Sequence, residues 1–115
     1  MKLSHRYLLR QVEADLARKM VLVAGPRQVG KTTLGLSVPN ARDGYLNWDI
    51  AEHRERILQR ELPSGPLWFF DEIHKYRSWR NYLKGLYDGR SANQQILVTY
   101  PVLDLVVEIP DYNDA

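Results

Sequence analysis

Residues 20–33 read MVLVAGPRQVGKTT, and this stretch decides the fold class of the 115-residue chain. The unbroken apolar run at 20–24 is typical of a strand that is buried on both faces in a parallel sheet. Residues 25–30 contain two glycines and a proline, so they are predicted to leave the strand and form a loop. A helix is predicted from Lys31 to about Leu36, before the breaker Pro39-Asn40. The stretch therefore predicts a strand–loop–helix unit.

The loop matches the Walker A pattern at 25–32, with its fixed positions at Gly25, Gly30, Lys31 and Thr32. Glycine readily adopts the backbone conformations in which several N–H groups converge on phosphate oxygens, and the helix N-terminus faces the same anion. Lys31 would supply positive charge to the β- and γ-phosphates, and the Thr32 hydroxyl would ligate Mg²⁺. The candidate nucleotide-binding residues are Gly25, Pro26, Arg27, Gln28, Val29, Gly30, Lys31, Thr32 and Thr33.

A second motif, LWFFDE at 67–72, has the pattern of a Walker B strand. Asp71 and Glu72 follow the predicted strand 67–70 at its carboxyl end, where open α/β sheets bind their ligands. We expect Asp71 to coordinate Mg²⁺, directly or through water, and Glu72 to polarise the water that attacks the γ-phosphate. Glu72 and Lys31 are thus the candidate catalytic residues. A solvated acidic turn is the alternative, and the Walker A motif upstream makes it the weaker one.

The remaining pattern predicts alternating helices and strands. Further strands are predicted at 45–48 and 95–99, and helices at 4–19, 50–61 and 79–88, with caps at Ser4, Asp49 and Ser78. This order predicts an α/β fold, a three-layer sandwich with a mainly parallel sheet and right-handed crossovers. Each βαβ unit takes about 30 residues or more, so the chain has room for about four strands and its core is expected to be incomplete.

Composition narrows the classes of function. Sixteen basic residues against fourteen acidic ones give a net charge of +2, which does not indicate a nucleic-acid binder. No apolar run approaches the roughly 18 residues of a membrane-spanning helix, so no membrane association is expected. Without cysteine there is neither a disulfide nor a thiolate metal site, and the cytoplasm is the expected compartment. A cluster of basic residues follows the second motif: Lys75, Arg77, Arg80 and Lys84. This cluster leaves contact with phosphate or nucleic acid open, although solvated basic side chains are the commoner explanation.

The two motifs together resemble a known family. GPRQVGKTTL (25–34), FFDEIHK (69–75) and the aromatic stretch WRNYLKGLYD (79–88) resemble prokaryotic AAA+ P-loop ATPases, usually described only as ATP-binding proteins. The resemblance covers about residues 5–99 and implies an AAA+ core that binds ATP with Mg²⁺ and hydrolyses it. It also implies that Thr99 is a sensor residue at the end of the fourth strand. Six matching positions carry over from the family: Gly25, Gly30, Lys31, Thr32, Asp71 and Glu72.

The resemblance stops after Thr99. Family members usually continue Thr-Gly-Ser, with a long remainder that holds a fifth strand, an arginine finger and a C-terminal domain. Here Tyr100-Pro101 follows, so we divide the chain into a core at 1–99 and an atypical tail at 100–115. Residues 102–109 could form a substitute edge strand. No arginine lies beyond Arg90, so another copy of the chain or a partner protein would have to supply the finger.

The main hypothesis from the sequence is a module that binds Mg-ATP and hydrolyses it slowly. The alternative is a truncated or frame-shifted remnant that is not an enzyme, and that binds nucleotide weakly or folds only beside a partner. A small phosphotransferase is a third interpretation, which the paired Asp71 and Glu72 and the lack of an acceptor-site pattern disfavour. The biological process and the partner stay open.

Overall fold

The computed structural model describes residues 5–25, 30–101 and 106–108. Its helices are α1 (His5–Leu16), α2 (Lys31–Leu36), α3 (Ala51–Gln59) and α4 (Trp79–Gly89), with a 3₁₀ turn at Ile73–Lys75. Its strands are β1 (Val21–Gly25), β2 (Tyr45–Asn47), β3 (Leu67–Asp71), β4 (Gln95–Pro101) and β5 (Val106–Glu108). The predicted alternation of strands and helices is confirmed. None of the described helices is long and apolar enough to cross a membrane.

The five strands form one sheet in the order β2-β3-β4-β1-β5. The first four run parallel to one another, whereas β5 runs antiparallel to β1. The expected four strands are present, and the part of the tail described at 106–108 adds a fifth at the edge, as the apolar pattern of 102–109 allowed. The parallel register places Asp71 opposite Thr99 and Gly25 opposite Pro101, so the ends of both motifs meet at one edge of the sheet.

The core lies in two layers, one on each face of the sheet. All five residues of β1 are buried, because helices cover both faces of this strand. On one face α1 and α2 pack against alternate strand residues through Leu8, Val12, Leu16, Leu34, Val21, Val23, Leu67, Phe69 and Leu97. On the other face α3 and α4 pack through Ile57, Tyr82, Leu83, Leu86, Leu22, Ala24, Leu46, Phe70, Ile96, Val98 and Tyr100. This arrangement confirms the predicted three-layer sandwich.

Helix α2 packs against the sheet at Gly35. A Cβ atom added to Gly35 would come within 2.3 Å of Cζ of Phe69 on β3. The absence of a side chain at Gly35 therefore allows α2 to approach Phe69 of β3 closely.

Several predicted boundaries differ from the structure. Helix α1 ends at Leu16 rather than Lys19, and the predicted cap Ser4 lies outside the described residues. Asp49 does not cap α3, since the N-cap residue is Ile50 and no side chain bonds there. The Asp49 carboxylate instead accepts two hydrogen bonds from Nζ of Lys75, at 2.9 and 2.8 Å, so a tertiary ion pair replaces the local cap.

The capping of α4 and the end of β4 also differ from the prediction. Ser78 occupies the N-cap position of α4, as predicted, but its side chain makes no capping hydrogen bond. Strand β4 does not end at Thr99, because Tyr100 and Pro101 continue it beside Ala24 and Gly25 of β1. Tyr100 is buried on the α4 face, and this packing favours the longer strand.

Candidate functional site

The Walker A motif runs from the end of β1 into the first turn of α2. Gly30 is the N-cap residue of α2 and has the left-handed conformation φ 71°, ψ 40°. Among the described residues, a Cβ at Gly30 would meet Cβ of Thr33 at 4.0 Å, an ordinary contact distance, so the left-handed backbone conformation is the reason for glycine that the structure shows. Residues 26–29, which include the predicted nucleotide-binding residues Pro26, Arg27, Gln28 and Val29, lie outside the described part of the chain.

Lys31 lies between the two ends of the Walker A loop. Its side chain is largely buried, with 9% of the residue exposed. The ammonium group donates a hydrogen bond to the backbone carbonyl of Gly25, the last residue of β1. An anion bound in the loop would therefore meet a lysine that is already held at this position by the fold.

Asp71 is a buried carboxylate that accepts three hydrogen bonds in the site. It is 4% exposed, and three hydroxyl groups donate hydrogen bonds to its carboxylate. Thr32 Oγ1 and Tyr45 Oη bond Oδ2, each at 2.7 Å, and Thr99 Oγ1 bonds Oδ1 at 2.6 Å. Hydrogen bonds to an ionised acceptor are about twice as strong as neutral ones, so these three bonds stabilise the charged carboxylate.

Tyr45 was not among the residues that the sequence singled out. It lies on β2, where its ring contacts Phe69 edge-on with 5.1 Å between ring centroids. Burial raises the pKa of Tyr45 well above its ordinary value, and the hydrogen bond to Asp71 raises it further. The phenol therefore stays protonated at neutral pH and remains a donor. The one signal in the sequence is the alternation of Tyr45 and Asn47, which puts two polar side chains on the same face of a short predicted strand.

Glu72 follows Asp71 with a left-handed backbone, φ 61°, and begins the 3₁₀ turn. Lys75 Nζ lies 3.1 Å from Glu72 Oε2 and 2.8 Å from Asp49 Oδ2, so one ammonium group pairs with two carboxylates. The hydrogen bonds with Asp49 and then with Glu72 raise the pKa of Lys75. His74 Nε2 lies 3.7 Å from the same Glu72 oxygen. The carboxylate predicted to polarise water is thus in an ion pair in this structure.

These residues surround a small cavity at the carboxyl edge of the sheet. It has a volume of about 130 Å³ and is lined by Gly30, Lys31, Thr32, Thr33, Asp71 and Glu72. Sites that enclose a whole drug-sized ligand measure about 300–1,000 Å³, and the cavity bounded by these residues is smaller and suits phosphate groups. Thr99 contributes indirectly, through its bond to Asp71.

Two larger cavities, of about 240 Å³ each, lie at the opposite end of the sheet. One is lined by the chain at 16–19 and 92–95 together with Arg90, and the other by α1 and the segment after α2. Neither combines a lysine with a carboxylate that hydroxyl groups hold in place. We therefore identify the candidate site by its chemistry and not by its volume.

The oxygen atoms at the cavity suit Mg²⁺, which prefers oxygen ligands and keeps several of its waters. Thr32 donates its proton to Asp71, so the lone pairs of its hydroxyl are left for a metal. A carboxylate has about four lone-pair directions, and the three hydroxyl groups occupy three of those on Asp71. Among the described residues no group of three or more His, Cys, Asp or Glu could hold a metal ion. A bound Mg²⁺ would accordingly take few ligands from the protein.

Three of the four basic residues after the Walker B motif have partners within the chain. Lys75 pairs with Asp49 and Glu72, and Lys84 Nζ lies 2.8 Å from Asp88 Oδ2. The guanidinium carbon of Arg80 lies 4.3 Å from the centroid of the Trp79 ring. These contacts favour a structural role over the phosphate or nucleic-acid contact that the sequence left open. No arginine of the described residues lines the cavity.

Comparison with known proteins agrees with the fold and the motifs. A protein-family model described as AAA domain matches residues 17–106 of the chain. No match to the chain is found among curated proteins or among solved structures. The family match covers well over half of the chain and spans every candidate site residue from Gly25 to Thr99. The chain therefore belongs to the AAA domain family, as a nucleotide-binding module of the AAA type.

Proposed function

We propose that the chain binds ATP together with Mg²⁺ in the cavity between α2 and the carboxyl ends of β3 and β4. The observation that carries this proposal is the 2.7 Å hydrogen bond from Thr32 to Asp71. It joins the Walker A and Walker B motifs through two side chains that lie 39 residues apart in the sequence. The two motifs are thus assembled into one site, and membership of the AAA domain family supports a nucleotide as its ligand.

The residues of the chain would hold the phosphates mainly through charge. Lys31 would exchange its bond to the Gly25 carbonyl for bonds to phosphate oxygens, which is favourable because the new acceptor is charged. Gly30 lets the backbone turn into α2, so that the first N–H groups of the helix face the cavity. Bound Mg²⁺ would neutralise part of the charge on the β- and γ-phosphate oxygens.

Hydrolysis is proposed as a slow activity of the same site. Glu72 lines the cavity and would orient the attacking water through its carboxylate. Turnover by this chain alone should be slow without an arginine finger, which contributes about 10³–10⁵ in rate. A second copy of the chain or a partner protein would supply that arginine.

The alternative is a module that binds nucleotide without hydrolysing it. The ion pair between Lys75 and Glu72, at 3.1 Å, favours this alternative because it engages the carboxylate needed for catalysis. Both proposals share the same binding site and differ only in the fate of the γ-phosphate.

Equilibrium binding of ATP in the presence of Mg²⁺ tests the site. We expect micromolar binding by the purified chain, and a loss of at least about tenfold in Lys31→Ala, since a bond to a charged group contributes about 1.5–3 kcal/mol. Lys84→Ala is the matched control, because it removes a lysine that pairs with Asp88 on the surface of α4. Equal affinity in wild type and Lys31→Ala, or no binding by a chain that circular dichroism shows to be folded, would refute the proposal.

Release of inorganic phosphate distinguishes the two activities. Glu72→Gln should keep the affinity for Mg-ATP and abolish turnover, whereas Glu55→Gln, on the exposed surface of α3, should leave both unchanged. Turnover that persists in Glu72→Gln would remove Glu72 from the mechanism. A wild-type chain that binds Mg-ATP and releases no phosphate would favour the non-hydrolysing alternative.

A further inference from the structure

A chain of hydrogen bonds connects the end of β2 with Asp71. The backbone N–H of Asp49 donates to Asn47 Oδ1 at 2.9 Å. Asn47 Nδ2 donates to the Tyr45 hydroxyl oxygen at 3.1 Å, and that hydroxyl donates to Asp71 Oδ2 at 2.7 Å. The end of β2 is therefore connected to the carboxylate of the candidate metal site.

The backbone determines the direction of every bond in this chain. An N–H group can only donate, so the atom of Asn47 that faces the Asp49 N–H is its oxygen. The amide nitrogen of Asn47 then faces Tyr45, and it too can only donate. The phenol has a single proton and receives a bond from Asn47, so it donates its proton to Asp71.

Asn47 is itself held at two further points. Its backbone N–H donates to Nδ1 of His53 on α3 at 3.0 Å, and the register of β2 with β3 places Asn47 opposite Asp71. The position of the amide is thus determined by the sheet and by α3, independently of any bound nucleotide.

The three hydroxyl donors on Asp71 differ in what a metal would do to them. Thr32 is a proposed metal ligand, so its hydroxyl would serve Mg²⁺ through a lone pair and Asp71 through its proton. Thr99 and Tyr45 are not proposed metal ligands, and they bond different oxygens of the carboxylate, at 2.6 and 2.7 Å. Two bonds to different oxygens fix the plane of the carboxylate, which a single bond would leave free to rotate.

From this network we propose that Tyr45 and Asn47 are positioning residues that hold Asp71 oriented for Mg²⁺. Neither residue lines the cavity, so both act through Asp71 and not by contact with nucleotide. The inference rests on the proposed Mg-ATP site and adds to it the element that controls its metal affinity. It predicts that loss of the Tyr45 hydroxyl lowers the affinity for metal while the affinity for the metal-free nucleotide stays the same.

Tyr45→Phe separates the positioning role of the Tyr45 hydroxyl from the packing of the Tyr45 ring. The variant keeps the ring that contacts Phe69 and removes only the hydroxyl. Tyr82→Phe is the matched control, because Tyr82 is also buried and its hydroxyl donates one bond, at 2.7 Å, to the carbonyl of Ile57, outside the site.

The experiment measures ATP affinity of the full chain by calorimetry, first with EDTA and then over a titration of MgCl₂. Outer partners of metal ligands typically contribute 10–100-fold in metal affinity, so Tyr45→Phe should need about tenfold more Mg²⁺ than wild type or Tyr82→Phe. ATP affinity in EDTA should be the same in all three proteins. Asn47→Ala should weaken Mg²⁺ binding as well, and it should add nothing in the Tyr45→Phe background, because both changes break one connected network.

Each outcome has a distinct meaning. A wild-type chain that binds no ATP overturns the proposed function, and this inference with it. A wild-type chain that binds Mg-ATP, with Tyr45→Phe showing the same Mg²⁺ dependence, overturns only the positioning role. Equal loss of affinity with and without Mg²⁺ also overturns it, because a general structural defect would then explain the variant.

Discussion

Replacement of Thr99 by valine measures how strongly the fold stabilises the Asp71 carboxylate. Thr99 is 1% exposed and donates to Asp71 Oδ1 at 2.6 Å, so water cannot replace the lost donor. A hydrogen bond to a charged group contributes about 1.5–3 kcal/mol, and valine has nearly the shape of threonine and suits a strand. We therefore expect Thr99→Val to lower the free energy of unfolding by about 2 kcal/mol at neutral pH.

Urea denaturation followed by circular dichroism gives this quantity, provided that the slope of the transition stays the same in both proteins. Thr33→Val is the control, because Thr33 is exposed on α2, and its effect should stay within about 0.5 kcal/mol. A Thr99→Val chain as stable as the control would mean that Asp71 does not depend on its buried donors. The account of the site as a carboxylate held by three hydroxyl groups would then be wrong.

Three further predictions concern the backbone and the core. Gly30→Ala should lower the free energy of unfolding by about 1–2 kcal/mol, because φ of 71° is unfavourable for a residue with a side chain; equal stability in urea would contradict this. Gly35→Ala should lower the thermal midpoint, since the new Cβ would lie 2.3 Å from the Phe69 ring, and Phe69→Leu should relieve part of that clash in the double variant. Burial raises the pKa of Tyr82 from its ordinary 10 to about 12. The unfolded chain therefore loses this proton first, and the stability present below pH 10 falls by on the order of 2–3 kcal/mol as the pH rises to 12. In Tyr82→Phe, the free energy of unfolding measured in urea should fall less as the pH rises from 10 to 12 than it does in wild type. An equal fall in both proteins would count against the raised pKa of Tyr82.

Local sequence patterns predicted the elements that carry their own signal. The apolar run of β1 predicted a strand buried on both faces, and all of its residues are buried. The apolar residues before Asp71 likewise predicted that its carboxylate stands at a strand end, and β3 ends there. Both predictions depend only on neighbouring residues, which explains their success.

Contacts between distant segments could not be predicted in the same way. Tyr45 meets Asp71 only because β2 pairs with β3 in one particular register, and no pattern within either strand specifies that register. Asp49 was predicted to cap α3, but its carboxylate accepts a hydrogen bond from Lys75, 26 residues away. The left-handed backbone of Glu72 and the turn that follows it also lack a local signal, since no glycine marks that position.

The pairing of β1 has a consequence for the order of folding. Its neighbours are β4 and β5, which pair Val21 with Leu97 and Leu22 with Glu108. The strand that leads into the phosphate loop therefore finds its hydrogen-bonding partners only after most of the chain has folded back on itself, and such long loop closures are slow. Amide protons of β1 should then exchange only through global unfolding, together with those of β4. A partly folded chain would contain both motifs and would still have no site.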